Sequence, residues 1–308
     1  MRNLKPFFTL LLSCAFISGF SFENSQYVSI ESLVKSGIVS ATVNGLGGHE
    51  EECVEFTLTN HKADSTYVWI EAGRRLESYD KGEQDIFLVR NEKVGLGPGE
   101  TKKVAGRGFC CQSKKAGPGE HSKFTIGAMA VASWVLLANL IDKYHFPTSP
   151  VQNAVWVLSN GHDIRSITPI RGRPTIRLRE CVADILEIDL PWYSYGYMDS
   201  EDSTELFSGV KDKIVAEVPF SVPRRTMITG QIKDKSGNLL YQSASYHANR
   251  GENVYFLEAD IHDWAIGEYD FYLMEDFGTL NQKRSFTVVA DEIIEPEGGL
   301  DEGLIIDG

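Results

Sequence analysis

Two adjacent cysteines and one glutamine are the residues of this chain whose types and surroundings could support covalent chemistry. Cys110 and Cys111 follow an aromatic residue, Phe109, at the end of a predicted strand. The thiolate of a cysteine is its nucleophilic form. Gln152 lies near a predicted helix start, where main-chain N–H groups without helical partners can stabilise an oxyanion. The two segments therefore carry a candidate nucleophile and a candidate carbonyl electrophile.

Together these segments resemble the thioester domains of bacterial surface adhesins. In that family, a cysteine that follows an aromatic residue bonds to the glutamine of a Thr-Gln-x-Ala-x-Trp motif at a helix start. The matching residues are Phe109, Cys110, Gln152, Ala154 and Trp156. Val151 stands where the family has threonine, and Cys111 is an extra neighbour that could supply the reacting sulfur instead. The resemblance covers residues 106–161.

The resemblance implies an internal thioester between Cys110 and Gln152. The sulfur would attack the side-chain carbonyl group and release ammonia, with Trp156 on the same helix face shielding the bond from water. His145 and His162 bracket the helix, and either could act as the base. A partner amine or hydroxyl group would then attack the thioester and leave the protein covalently attached through Gln152.

The same residues also have an ordinary structural interpretation. Neighbouring residues of a strand point to opposite faces. One of Cys110 and Cys111 could therefore be a buried thiol, while the other forms a disulfide with Cys53 or Cys181. An oxidising compartment permits such bonds, and four mature cysteines allow three pairings. In this interpretation Gln152 only caps its helix.

Other kinds of site lack their sequence signatures. The chain has no Gly-x-Ser-x-Gly nucleophile elbow and no His-Glu-x-x-His metal helix. His49 lies near Cys53, but no second pair of ligands accompanies them, so we expect no metal and no cofactor. Acidic pairs are frequent, and nothing marks two of them as the carboxylates of a glycosidase.

Alternating apolar and polar residues predict a series of strands over residues 51–112. The predicted strands of this part include the segments 53–60, 67–70 and 86–89. Gly97-Pro98-Gly99 predicts a tight turn before the stretch that leads to Cys110.

The periodicity then changes from strands to helices. Apolar residues at three- and four-residue spacing predict a helix over Phe124–Tyr144, which Pro147 ends. A second helix has Ser149 at its N-cap position and Pro150 in its first turn, and it stops at Asn160-Gly161. A helical hairpin is therefore expected as an insertion in a β-rich chain.

The remainder of the chain is predicted to be β again. Alternation predicts strands at 176–178 and 185–190, and the aromatic segment Tyr193–Tyr197 is either a sugar-binding platform or ordinary packing. From Val215 to Val289, strand count and spacing suggest an immunoglobulin-like sandwich. This stretch also resembles the C-terminal sorting and accessory sandwiches of secreted bacterial proteins. That resemblance rests on Asp234-Lys235-Ser236-Gly237-Asn238 and Gly267-Glu268-Tyr269-Asp270-Phe271.

The first residues have the pattern of a secretory signal peptide. Arg2 and Lys5 form a basic region, residues 6–17 are apolar, and small residues suit cleavage before Phe22. The apolar run is shorter than a permanent membrane span requires. Leu11-Leu12-Ser13-Cys14 also resembles a lipobox, although the chain stays apolar after this cysteine.

The charge of the chain bears on its partners. The formal net charge is −13, and loss of the two basic residues of the leader makes it more negative by two. A surface this acidic repels phosphate backbones and anionic lipid, so we expect no nucleic-acid partner and no docking on anionic lipid. We also expect no membrane span, because no later apolar run is longer than that of the leader. Residues 291–308 hold seven acidic residues and no basic one, which predicts a solvated tail.

These observations predict a mainly β protein with a helical hairpin insertion. Its expected parts are a signal peptide (1–21), a thioester-like β-rich domain (22–167), a connecting segment (168–214), an immunoglobulin-like sandwich (215–290) and an acidic tail (291–308). The leading functional hypothesis is a bacterial adhesion or capture protein, secreted or held in the cell envelope, with a surface protein or glycan as partner. Its thioester would react once, so it would not be an enzyme. The alternative is a non-covalent binding or structural protein of the same compartment with disulfides and no thioester, and a secreted hydrolase ranks third.

Overall fold

The computed structural model describes residues 26–48, 50–173, 175–200 and 206–291. The predicted signal peptide and all but the first residue of the predicted tail lie outside these ranges, as does His49. The described part is mainly β, as the sequence predicted, and it contains several sheets and a layer of helices.

The first half of the chain forms a small closed barrel. Its elements are β1 (Val28–Ser29), α1 (Ile30–Lys35), β2 (Val39–Gly45), β3 (Glu50–Asn60), β4 (Thr66–Ile70), β5 (Arg74–Ser78), β6 (Ile86–Leu88), β7 (Glu92–Leu96), β8 (Thr101–Cys110) and β9 (Lys123–Met129). Six strands close the barrel in the order β2-β3-β8-β6-β5-β9, and β1, β4 and β7 form a separate three-stranded sheet. The interior of the barrel is apolar and includes Val54, Phe56, Leu76, Ile86 and Cys110.

A helical layer packs against the end of β8. It consists of α2 (Ala132–Tyr144), α3 (Thr148–Asn160), a 3-10 turn (Ile164–Ser166) and α4 (Thr175–Leu186). The predicted end of α3 is confirmed, because Gly161 has a positive φ of 67° and caps the helix. Residues of all three helices share one core, to which Phe109 and Cys111 also belong. The expected hairpin is therefore part of a three-helix layer.

The last part of the chain consists of two facing sheets. Its strands are β10 (Ser194–Tyr197), β11 (Lys211–Val222), β12 (Thr226–Asp234), β13 (Leu239–Gln242), β14 (Tyr246–Ala248), β15 (Gly251–Asp260), β16 (Gly267–Glu275) and β17 (Thr279–Val288). One sheet has the order β10-β11-β15, and the other has the order β13-β12-β16-β17 with β14 paired to β12. Both sheets contribute to one apolar core. The predicted turn at residues 235–238 joins β12 to β13.

The strands predicted at 176–178 and 185–190 are wrong. Most of this stretch is α4, in which Leu178 and Val182 are buried at helical spacing while Ile176 is 42% exposed. The helix ends at Leu186, and the next residue, Glu187, has a left-handed φ of 54°. A short apolar run fits both periods, and here packing against the other helices decides the outcome.

The start of the first predicted helix is also wrong. Residues 123–129 form β9, whose main chain pairs with β2 and β5 and closes the barrel. The helical segment begins only at Ala132. Long-range pairing with two strands that are distant in sequence overrides the local apolar pattern here.

Gly108 in β8 offers a test of how tightly the barrel wall is packed beside Cys110. A Cβ atom at Gly108 would lie 2.4 Å from Cγ2 of Ile86, whereas a Cβ atom at Gly95 in β7 would meet only the Tyr67 ring at 3.5 Å. Because overpacking forces neighbours to shift, Gly108→Ala should lower the free energy of unfolding by about 1–3 kcal/mol. Gly95→Ala, also in a strand, should change it far less. Chemical denaturation measures both, and equal losses would contradict the described packing.

Candidate functional site

Cys110 is the last residue of β8 and lies at the junction of the barrel and the helical layer. It pairs with Ile86 of β6, and its side chain is fully buried in the barrel core. Its neighbours Phe109 and Cys111 belong to the core of the helical layer instead. This alternation is what a strand imposes on consecutive side chains, so the two adjacent thiols lie in different cores.

The carboxamide of Gln152 is bound to the main chain of Cys110. Oε1 of Gln152 accepts a hydrogen bond from the Cys110 N–H group at 3.1 Å, and Nε2 donates to the Cys110 carbonyl oxygen at 2.8 Å. Only 3% of Gln152 is exposed. The side chain therefore bonds to the end of β8 as a neighbouring strand would, and it fixes α3 to the barrel.

Gln152 lies two residues deeper in the helix than the sequence predicted. The helix begins at Thr148 with Pro147 as N-cap, so Ser149 is already inside it. The N–H group of Val151 donates to the carbonyl oxygen of Pro147 at 3.3 Å. Gln152 is therefore beyond the N-terminal groups that lack helical partners. The N-terminal part of α3 is close to the site, but its free N–H groups belong to earlier residues.

The four cysteines outside the predicted leader are free thiols. Burial raises the pKa of Cys53 to about 12, and its Sγ donates to the Gly108 carbonyl oxygen at 3.6 Å. Burial also raises the pKa of Cys110 well above its ordinary value, with further contributions from Cys111 and Cys53. The pKa of Cys111 is raised by burial as well. These three groups are protonated thiols at neutral pH. The fourth, Cys181, is partly buried on α4, and burial raises its pKa too.

The remaining residues of the glutamine motif lie in the helical layer. Ala154 is fully buried in the core of that layer, and 3% of Trp156 is exposed. The Trp156 ring contacts the rings of His162 and Phe207, with centroids 5.8 Å away in each case. The indole ring is thus held in an aromatic cluster rather than lying free on the helix surface.

The two candidate bases occupy different environments. His145 is exposed and ends α2 with a left-handed φ of 48°. His162 is buried, and its Nε2 lies 2.9 Å from Oγ of Ser113. Burial lowers the pKa of His162 to about 4, so its ring is neutral at physiological pH. The hydrogen-bond partners of His162 do not include Cys110 or Gln152.

A cavity of about 600 Å³ opens beside Gln152, between the helical layer and the C-terminal sheets. The helical side of its wall contains Ser149, Gln152, Asn153 and Trp156, and the opposite side includes Tyr197, Phe207, Lys213 and Phe256. The sequence indicated one part of this wall through its aromatic segment at 193–197. It gave no signal for Phe207 or Phe256, because only the tertiary fold brings them beside α3.

The described ranges contain no cluster of three or more histidine, cysteine, aspartate or glutamate residues suited to hold a metal ion. Within the same part of the chain, no helix combines the length and the apolar character needed to cross a bilayer.

Comparisons with known proteins do not assign this chain to a family. No protein-family model matches the chain, and no curated protein sequence matches it. Among solved structures, red sea bream transglutaminase is similar at 8% identity and a TM-score of 0.20, over 85% of this chain and 33% of that one. A β-glucosidase from Kluyveromyces marxianus is similar at 12% identity and a TM-score of 0.20, over 78% of this chain and 44% of that one. This chain thus spans less than half the length of either protein, and similarity at this level supports no functional argument.

The Gln152 contact predicts a large cost of substitution. Gln152→Ala would leave the buried N–H and carbonyl groups of Cys110 without partners, so the free energy of unfolding should fall by about 2–4 kcal/mol. Gln231→Ala is the matched control, because Gln231 makes one exposed hydrogen bond, to Gln242. Chemical denaturation of both variants measures the difference. Similar losses would show that the Cys110 contact contributes little.

His162 predicts a defined pH dependence of stability. Its folded pKa of about 4 lies below an unfolded value of about 6.5, so the unfolded chain binds the extra proton between these values. The contribution of the neutral ring is therefore complete above pH 6.5 and is lost as the pH falls toward 4. Over this window the wild-type protein should lose up to about 3 kcal/mol more than His162→Gln. Carboxylates titrate in both proteins, so parallel stability curves would contradict the assignment.

Proposed function

We propose that this chain is an exported capture protein in which Cys110 and Gln152 form an internal thioester that later bonds to a nucleophile on another surface. The observation that carries the proposal is the direct contact between the Gln152 carboxamide and Cys110 beside an open cavity. The two residues are 42 positions apart in sequence. The contact uses the main chain of Cys110, so it supports the proposal by holding the carboxamide at the residue that carries the sulfur.

The proposed reaction needs no external reagent. Sγ of Cys110 attacks Cδ of Gln152, a carbon–sulfur bond forms, and the carbon–nitrogen bond of the carboxamide breaks. The thiol proton passes to the departing nitrogen, which leaves as ammonia. In the second step, a partner amine or hydroxyl group attacks the thioester carbon and the carbon–sulfur bond breaks. The proton of the nucleophile returns to sulfur, and an amide or ester bond joins the partner to Gln152.

Burial slows the formation of the thioester but would protect it from hydrolysis once it has formed. The raised pKa of Cys110 means that little thiolate exists at neutral pH, which slows attack. The proposal compensates for this by making the reaction intramolecular, because the carboxamide is held at the main chain of the residue that carries the thiol. The Cys110 side chain packs in the barrel core, so its sulfur must turn toward the carboxamide that the main chain of the same residue already holds. Exclusion of water would then protect the thioester from hydrolysis.

The cavity beside α3 supplies a route for the second step. Gln152 and Trp156 line it, so a nucleophile that enters reaches the motif without unfolding the helical layer. Its charged lining residues are Glu50, Asp199, Asp212, Lys213 and Glu258. In this proposal, the two C-terminal sheets are an immunoglobulin-like accessory domain that displays the capture domain in the cell envelope or outside the cell.

One observation favours a second function, non-covalent binding at the same cavity. The Gln152 carboxamide already has partners for its donor and its acceptor, and the Cys110 thiol is protonated. A glutamine used in this way is a structural residue. The cavity would then hold a ligand by contact with its aromatic and polar wall, and no bond would form.

Intact-mass spectrometry of the mature protein separates these two functions. The thioester predicts a mass lower than that of the free thiol and carboxamide by one ammonia, and treatment with methylamine should replace this deficit by one methylamide group. Cys110→Ala should abolish both the deficit and the methylamine adduct.

The matched control is Cys111→Ala, which removes the neighbouring buried thiol and should keep the deficit. Loss of the deficit in Cys111→Ala alone would assign the sulfur to that residue. Circular dichroism of each variant confirms that it is folded. A folded wild-type protein with the full mass and no methylamine adduct would refute covalent capture and leave the binding function.

A further inference from the structure

A second cavity, of about 660 Å³, lies between α4 and the C-terminal sheets. Arginines line it to an extent unusual for so acidic a chain: Arg171, Arg179 and Arg284 all contribute. We call it the arginine cavity. It shares Pro169 and Phe256 with the cavity beside Gln152. Neither the cysteine nor the glutamine of the proposed thioester lines it.

Arg179 is a buried cation without a carboxylate partner. Only 2% of the residue is exposed, and burial lowers its pKa to about 10, which still leaves it charged at neutral pH. Its Nη2 donates to the carbonyl oxygens of Pro191 and Tyr193, at 2.7 and 3.0 Å. Its Nε has no hydrogen-bond partner among the described residues. Buried charges are normally paired, so this guanidinium group has unused capacity for an anion.

The acidic residues around Arg179 do not neutralise its positive charge by direct contact. Glu217 and Glu180 also line the arginine cavity, but neither forms an ion pair within 4.0 Å of Arg179 in the described part of the chain. Asp163, which with Glu217 raises the pKa of Arg179, forms its ion pair with Arg165 instead. Glu217 raises the pKa of Arg179 only against the larger, opposite effect of burial. Burial in turn raises the pKa of Glu217, with Arg179 opposing that shift. The two groups interact at a distance without neutralising each other by direct contact.

The other two arginines lie over aromatic rings at the same wall. The guanidinium carbon of Arg284 is 5.5 Å from the centroid of the Trp192 ring, and that of Arg171 is 5.5 Å from the centroid of the Phe256 ring. Neither arginine forms an ion pair within the described ranges. The cavity therefore combines cationic groups with apolar surfaces, to which Leu190 and Val254 also contribute.

We propose that the arginine cavity binds a small organic carboxylate, with its anionic group at Arg179 and its apolar body against Trp192 and Phe256. A planar guanidinium group recognises a carboxylate through paired N–H donors. An apolar body is required as well, because the aromatic and aliphatic lining gives an inorganic anion little to contact. This site is independent of the proposed thioester.

Phenylacetate is a suitable probe, because it joins one carboxylate to one aromatic ring. Titration of the full chain, followed by calorimetry or by NMR chemical shifts, should show saturable binding below about 10 mM. Phenylacetamide has nearly the same shape without the charge, and its affinity should be at least tenfold lower. Raised salt should weaken the binding of phenylacetate more than that of phenylacetamide.

Variants of the lining locate the site. Arg179→Gln should weaken phenylacetate binding at least tenfold. Arg225 is exposed and lies outside the cavity, so Arg225→Gln should leave binding unchanged. Because Arg179 also binds two carbonyl groups, its variant could misfold. The double variant of Arg171→Gln and Arg284→Gln removes two cavity cations without that risk and should weaken binding about threefold or more.

Three results would overturn the proposal: no saturable binding of phenylacetate to the folded wild-type chain, equal affinity for phenylacetamide, or unchanged affinity in both cavity variants. The ammonia deficit of the proposed thioester is measured separately by mass. A chain with the full mass that binds phenylacetate selectively would refute the thioester alone, and the opposite combination would refute the carboxylate site alone.

Discussion

The pair of hydrogen bonds between the Gln152 carboxamide and the main chain of Cys110 is the constraint on which the candidate site depends. It joins the last residue of β8 to the second turn of α3, and so it links the barrel to the helical layer. Both bonds are buried, so water cannot replace either partner. The position of α3 in turn determines where Trp156 meets His162 and Phe207, and therefore where the cavity opens.

The end of β8 contributes side chains to two cores, because consecutive residues of a strand point to opposite faces. Cys110 points into the barrel, while Phe109 and Cys111 point into the helical layer. Gly108 keeps the strand close to β6, since a Cβ atom there would collide with Ile86. The desolvation that raises the thiol pKa values and the shielding that would protect a thioester have the same origin. A more exposed thiol would ionise more readily, but its acyl product would be open to hydrolysis.

The sequence predicted the β-rich character and the end of α3 at Gly161, because alternation and capping are local signals. The bond between a cysteine sulfur and Gln152 stays a prediction, since the contact in the structure uses the main chain of Cys110. It failed where pairing over long distances decides the structure. Residues 123–129 are a strand only because β2 and β5 accept them, and α4 is a helix because its apolar side packs on the other helices. The arginine cavity had no local signal, since Arg171, Arg179 and Arg284 come from separate elements.

Packing and hydrogen bonding explain why position 152 is a glutamine, but they do not explain why position 110 is a cysteine. Glutamine suits position 152 in either function, because its carboxamide donates to the Cys110 carbonyl group and accepts from its N–H group through two separate atoms. The partner at position 110 contributes only main-chain atoms to that contact, so almost any residue could make it. A buried thiol packs as a small apolar side chain, and alanine or valine could fill a similar place in the barrel. The sulfur of Cys110 is therefore the group that the packing does not require, and its reactivity is where the covalent and the non-covalent functions diverge.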